Sequence, residues 1–482
     1  MMLDLIREYF SSGWIYWGIV LVYSATVLSI VGVVLSENRN PLKSLAWTTV
    51  LILFPVGGLI LYIFFGRSIR NTRMISRRNK RRLRSIETPV ALTDTPTRLS
   101  DENRQHATLA RSLTGAVLYE GNKVEVITDG SDKIRRLLAD IDNAKSYIHL
   151  QYYIIENDAT GNRLANALIA AVSRGVKVRV IYDDIGSMHV SGKFRRRMRD
   201  AGVEILPFFR VAFPPFATRI NWRNHRKVTV IDGTVGYIGG MNIADRYIDG
   251  GKNFSRWRDT HLRITGPAVA ALQYSFAVDW NFMGQPLLQE EAGNVPPVPG
   301  GASIQMVTSG PTSRWSNVAF MMLKAIANAK KRVYLQTPYF LPTESLLRAL
   351  QAAALSKVDV RVMLPMRSDS MILTNASRSY IQECLRAGIK IYLYDGGMLH
   401  CKTMIVDDDF STVGSTNFDF RSFEHNFEGN FFIYSREINA RLLADFLDDQ
   451  RLCHRVRSSQ WRHRPLPLKI RESIVRLLAP IL

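Results

Sequence analysis

One pattern occurs twice in this chain, and that doubling constrains its fold more than any other feature. Asn224-His225-Arg226-Lys227 leads to Asp232 and then to Gly239-Gly240-Met241-Asn242. Leu399-His400-Cys401-Lys402 leads to Asp407 and then to Gly414-Ser415-Thr416-Asn417. Both read His-x-Lys-x4-Asp-x6-Gly-[Gly/Ser]-x-Asn. A lone His-x-Lys-x4-Asp arises by chance in a chain this long at roughly the five per cent level, so one copy says little. Two copies with the same downstream element at the same offset mark a duplicated unit.

The repeat extends upstream. Ala-Lys-x-x-Ile/Val-x-Leu-Gln occurs at 144–151 and 329–336, and Val-x-Val-Arg-Val begins at Val176 and again at Val358. Helical stretches are expected at Ile134–Ala144 and Arg163–Arg174, and again at Val318–Ala329 and Ser345–Ala354. Strands are expected at Lys145–Gln151, Val176–Tyr182, Lys330–Gln336 and Val358–Leu364. Strands alternating with helices of this length predict an α/β fold with two pseudo-twofold-related domains. The divide falls in the Gly- and Pro-rich Gly293–Gly301. The organisation read from this is 1–66, an apolar hairpin; 67–120, a basic segment and a polar, irregular linker; 121–292 and 302–460, the two repeats; and 461–482, an amphipathic tail.

Lys227 to Ile231 alternates and is β-branched, which predicts a strand. A period of two then puts His225 and Lys227 on one face. His400 and Lys402 repeat the pair. Brought together by a pseudo-twofold, the two copies surround one point with two imidazoles, two ammoniums and the amides of Asn242 and Asn417. Phosphoryl transfer needs in-line attack, a proton donor for the leaving oxygen and positive donors around the equatorial oxygens. One phosphodiester between the halves would receive all three. Lysines here take the place of metal ions, and no His/Asp/Glu cluster has metal-ligand spacing, so neither a catalytic metal nor a cofactor is expected. Asp232 and Asp407, the third motif letters, are candidate catalytic residues, and a structural role for them stands equally open.

The net charge is +21 over 482 residues, which implies an anionic partner, nucleic acid or an acidic membrane surface. The N-terminus separates these. Gly13 to Ser36 and Leu45 to Gly66 carry no charge, and each is long enough for a membrane-spanning helix. They read as a helical hairpin with Trp14, Tyr16 and Trp17 at one end, although Pro55, Gly57 and Gly58 leave open a break into a re-entrant segment. Arg67, Arg70, Arg73, Arg77, Arg78, Lys80, Arg81, Arg82 and Arg84 follow directly. The positive-inside rule places them, and the body after them, in the cytoplasm. Pro207 to Phe216 is apolar and aromatic, suited to the membrane interface or to ordinary core packing. In the tail, Ile470, Ile474, Val475, Leu477, Leu478 and Ile481 share a face beside Lys469, Arg471 and Arg476, as in an interfacial helix or one docked on the body. Three cysteines, Cys384, Cys401 and Cys453, are too scattered for a disulfide framework.

The sequence resembles the phospholipase D superfamily, defined by two such motifs, and within it the bacterial cardiolipin synthases. Glu37-Asn-Arg-Asn-Pro41, Gly239 to Ile243, Trp257-Arg-Asp259 and Asn417-x-Asp-x-Arg-Ser422 match as well, so the likeness covers nearly the whole chain. It implies two phospholipase D-like domains behind a transmembrane hairpin in the bacterial inner membrane. It also implies transfer of a phosphatidyl group from one phosphatidylglycerol to another, giving cardiolipin and glycerol through a phosphatidyl-histidine. By the resemblance His225 is the nucleophile and His400 the general acid/base, an order the near-symmetric residues do not fix. Lys227, Lys402, Asn242 and Asn417 would hold the phosphoryl oxygens. Asp259 would orient the histidine of the first half and Glu428 that of the second, with the crossed arrangement open. Hydrolysis to phosphatidic acid and a membrane-bound nuclease are the alternative activities. The expected partner is an anionic phospholipid rather than nucleic acid.

Overall fold

Both copies of the repeat fold into the same strand order in the computed structural model, which describes residues 13–36, 41–62, 69, 73–87, 99–210, 221–288, 290, 293 and 295–477. The first copy supplies β1 (Leu118–Ile127), β2 (Tyr147–Tyr152), β3 (Lys177–Asp183), β4 (Glu204–Phe208), β5 (Val228–Ile231), β6 (Val235–Gly239), β7 (Trp257–Arg258) and β8 (His261–Thr265). The second supplies β9 (Ala302–Ser309), β10 (Arg332–Gln336), β11 (Phe340–Leu341), β12 (Asp359–Pro365), β13 (Lys390–Tyr394), β14 (Met398–Leu399), β15 (Thr403–Val406), β16 (Phe410–Gly414), β17 (Phe418–Asp419), β18 (Glu428–Tyr434) and β19 (Cys453–Arg455). Outward from the β1/β9 seam, the first half runs β1-β8-β6-β5-β2-β3-β4. The second runs β9-β18-β16-β15-β10-β12-β13, with β19 added at its edge.

The two repeats therefore share one mixed sheet instead of forming separable domains. β2-β3-β4 and β10-β12-β13 are parallel, as helical crossovers require, and the strands nearer the seam are antiparallel. The helices expected from periodicity form within a few residues of their predicted bounds. Asp129 and Asp158 start two of them by accepting from Asp132 N and Gly161 N. Each half has its own apolar layer, and a third cluster spans the seam, where Val228, Leu262 and Ile264 join Leu399, Phe431 and Ile433.

One expectation changes, and two open readings are narrowed. The linker is not irregular: Asp101–Thr114 is a helix capped by Ser100, and its His106 ring packs on Phe410. The aromatic stretch begins as core, with Phe208 buried against Phe427, while 211–216 lie outside the described residues. The tail helix Leu466–Leu477 docks through its polar side. Glu472 is buried and paired with Arg464, and Arg471 reaches Asn375. Residues 37–40, Arg67, Arg70, Leu478 and Ile481 also lie outside the described residues.

The N-terminal hairpin is a unit of its own. Gly13–Ser36 is one uncharged helix, and Tyr23 Oη donates to Leu51 O at 3.3 Å. The second apolar run breaks at Phe54, giving helices Pro41–Leu53 and Pro55–Leu61, since Pro55 supplies no N–H to continue the first. Among the described residues no helix is long and apolar enough to cross a membrane.

Candidate active site

Each motif histidine sits one residue beyond a bridge between the halves. β7 pairs with β14, and His400 N then donates to Arg258 O at 2.7 Å. Asn224 bridges Phe427, and His225 N donates to Phe427 O at 2.9 Å. The residues that follow Arg258 and Phe427 are Asp259 and Glu428. Each carboxylate therefore meets the histidine of the opposite half.

His225 Nδ1 lies 3.0 Å from Glu428 Oε1 and 3.0 Å from the Ser415 carbonyl. Both partners are acceptors, so Nδ1 carries the proton and the neutral ring keeps its lone pair on Nε2. His400 Nδ1 lies 2.6 Å from Asp259 Oδ2 and 2.8 Å from Lys402 Nζ. The arrangement is the crossed one: Asp259 serves His400 and Glu428 serves His225.

Both imidazoles line one cavity of about 470 Å³ with Asn242, Asn417, Tyr153, Tyr247 and Arg421. Lys227 and Lys402 are buried directly behind it. Lys227 Nζ donates to the His225 carbonyl and sits 5.3 Å from the centre of the Tyr153 ring. Asn242 is held by Tyr247 Oη at 2.7 Å and by Ile154 N, whereas Asn417 Oδ1 is buried with no partner among the described residues.

Cation crowding sets the electrostatics. Burial, and then Lys402, pull His400 down to about 4 against the attraction of Asp259. Burial also lowers His225, where Glu428 opposes the two lysines. Both ammoniums are lowered, chiefly by burial, and Lys402 adds to the effect on Lys227. Burial would raise the Asp259 carboxyl, but Lys402 and His400 outweigh it and hold it low. A monoanion in the cavity would relieve all of these cations at once.

Asp232 and Asp407 stand elsewhere. Each ends the strand that starts beside its lysine, roughly 16 Å along at about 3.3 Å per residue. Both take left-handed backbone, φ 51° and 49°, in the following hairpin turn. The Asp232 carboxylate accepts from Lys145, Ser146 and Tyr147 N, and that of Asp407 from Lys330, Lys331 and Arg332 N. The third motif letter thus fastens β5 to β2 and β15 to β10, the structural one of the two roles left open for these aspartates.

Residue patterns left several supports unassigned. Gln151 and Gln336, the last letter of the upstream repeat, donate to Asp279 and Asp449. Those aspartates bind Arg226 and Arg258, which in turn donate to the main-chain carbonyls of Glu428 and Asp259. A polar residue ending a buried strand in both copies was the available signal.

The family described as cardiolipin synthase, PLD-like domain matches residues 137–280 and 322–450, and a phospholipase D–nuclease N-terminal family matches 24–67. The major cardiolipin synthase ClsA of Bacillus subtilis is 40% identical over 475 residues, covering 96% of this chain and 98% of the relative. A cardiolipin synthase of Listeria monocytogenes is 39% identical, covering 96% and 99%. In fold, the crystal structure of a phosphatidylserine synthase from Haemophilus influenzae superposes with a TM-score of 0.60 at 13% identity, covering 78% of this chain and all of that one. The chain belongs to the cardiolipin synthase family of the phospholipase D superfamily.

Proposed function

We propose that the chain joins two phosphatidylglycerols into cardiolipin and glycerol by two successive displacements at one phosphorus. The observation that carries this is the pair of crossed His–carboxylate contacts opening on one cavity backed by two lysines. His225 Nε2 attacks phosphorus, and the P–O bond to the headgroup glycerol breaks. The glycerol oxygen takes a proton from His400, and a phosphatidyl-histidine remains. His400 then removes the proton from the terminal hydroxyl of the second phosphatidylglycerol. That oxygen attacks phosphorus, the P–N bond breaks, and its electron pair returns to His225. The arriving phosphodiester anion raises His400 from its low resting value, which lets it serve as the acid. Lys227, Lys402, Asn242 and Asn417 surround the phosphoryl oxygens. The proton fixed on His225 Nδ1 favours that residue as nucleophile.

Lipid access follows from two features. Gly13–Ser36 is uncharged and exposes Trp14, Trp17, Leu21 and Leu28. A membrane-embedded hairpin with the catalytic body on the cytoplasmic side accounts for that exposure and for the arginines after it. The docked tail helix turns Leu466, Ile470, Ile474 and Leu477 outward, and Met371 and Ile372 are exposed on the helix it packs against. Two residues on from Met371, Leu373 lines the catalytic cavity.

Incubating the full-length protein with labelled phosphatidylglycerol in detergent tests the reading. Cardiolipin with equimolar glycerol, insensitive to chelator, is expected. Phosphatidic acid as the sole product would make the enzyme a hydrolase, and cleavage of DNA without lipid products would make it a nuclease.

A further inference from the structure

A second cavity, of about 650 Å³, shares no lining residue with the catalytic one. Arg73, Arg77, Lys80, Arg84 and Arg314 line it beside Arg226, whose charge Asp279 already offsets, and no acidic side chain lines it among the described residues. Gathering like charges is unfavourable unless something offsets them. Here the protein brings them together by packing. The helix Arg77–Glu87 inserts Leu83 among Phe276 and Trp280, and Asn79 Nδ2 donates to Asn281 Oδ1 at 3.1 Å. The crowding is felt: burial and Arg84 lower the Lys80 ammonium. Ser275, only 4% exposed, lines the same space, and its hydroxyl has no partner among the described residues. The remaining wall is mixed: Met74, Leu113, Val117, Val278 and Met306 make an apolar part, and Ser112, Thr308, Thr312, Ser313 and Asn317 a polar one. Clustered cations and an unused hydroxyl call for a phosphate oxyanion. The apolar wall calls for that phosphate to carry a hydrocarbon part.

We propose that this cavity binds the phosphodiester headgroup of an anionic phospholipid, as a lipid site separate from the catalytic one. Charge and cavity shape carry the proposal without the catalytic reading, which supplies only phosphatidylglycerol as the probe. Free phosphate offers the same oxyanion but leaves the apolar wall unfilled.

The test uses full-length His225→Ala protein, which binds lipid without turnover, in a zwitterionic detergent. Native mass spectrometry counts bound dihexanoyl phosphatidylglycerol. Two bound lipids are expected, falling to one in the added triple variant Arg77→Gln/Lys80→Gln/Arg314→Gln. Arg77→Gln alone changes an exposed helix position, keeps the protein folded if the triple variant fails, and should weaken the second event about tenfold. Unchanged binding in both variants, or a single lipid in the His225→Ala parent, overturns the site. Displacement of the second lipid by equimolar inorganic phosphate overturns its lipid assignment. Failure of the catalytic reading shows separately, as absence of cardiolipin from the wild type while the second lipid is still bound.

Discussion

The two half-sites perform the same positioning with different residues. In the first, the residue after the histidine is Arg226, and the one before the carboxylate is Phe427. In the second, those places hold Cys401 and Arg258. Each half-site still buries one arginine on a helix aspartate, and each arginine still donates to the backbone carbonyl of the orienting acid. The arginine has changed strands while its bond to that carbonyl has been kept. A second exchange goes with it. Ser415 Oγ donates to Glu428, whereas the equivalent Gly240 lies against the shorter Asp259, where an added Cβ would come 2.1 Å from Oδ1. The two copies keep the same contacts to each imidazole and its carboxylate while the supporting letters differ.

The sharpest break in this near-symmetry is the order of the histidines. His225→Ala and His400→Ala should each lower transfer by at least about 10³-fold, since each removes a group that makes or breaks a bond. Rapid quench separates them. With a labelled phosphatidyl ester whose leaving group needs no proton, such as p-nitrophenolate, the lipid adduct should accumulate in His400→Ala and be absent from His225→Ala, and the opposite pattern would reverse their roles.

Next in size are the exchanged supports. Gly240→Ser pushes a side chain into Asp259 and should cost about 10²-fold by disturbing His400. Ser415→Gly removes one hydrogen bond to Glu428 and should cost only about tenfold, or roughly 1.4 kcal/mol. Its effect should fall on adduct formation. A loss confined to adduct breakdown would show that Ser415 does not act through His225.

The motif aspartates should behave alike in both halves, because their surroundings are alike. Asp232→Asn and Asp407→Asn replace an acceptor-only carboxylate with an amide that must turn a donor toward backbone N–H groups. Each should destabilise the fold by about 1–3 kcal/mol in urea unfolding while leaving activity per folded molecule unchanged. A folded variant with lost activity would return these residues to the chemistry.

That aspartate also marks where the sequence was legible and where it was not. Periodicity and the repeat placed β2, β3, β10 and β12 and their helices, because burial imposes the pattern locally. They could not reveal that β1 and β9 fuse the copies into one sheet, since both strands fall outside the matching letters. A two-residue spacing placed each histidine beside its lysine. It carried no information on which carboxylate faces which ring, because that contact joins residues 203 and 141 positions apart. Asp232 and Asp407 shared the motif with the histidines, yet an extended strand carries them away from it. Sequence proximity within a strand is distance in space.

The smallest difference concerns protons. His400 is held near 4 when folded and returns to about 6.5 when unfolded. Between those values the unfolded chain binds the extra proton, so stability falls as pH is lowered from about 6.5 toward 4, and this contribution levels off once the folded state is protonated too. His225 is lowered in the same direction, against the opposing pull of Glu428. Urea midpoints measured from pH 7 to pH 4.5 should therefore drop more steeply for the wild type than for His400→Gln, with His225→Gln showing the same sign. Parallel slopes would mean that the fold leaves the proton affinity of His400 unchanged, and a shallower drop for the wild type than for His400→Gln would mean that Asp259 holds the imidazole charged at rest. His400 would then enter the reaction already protonated, and burial beside Lys402 would no longer set the resting state of the site.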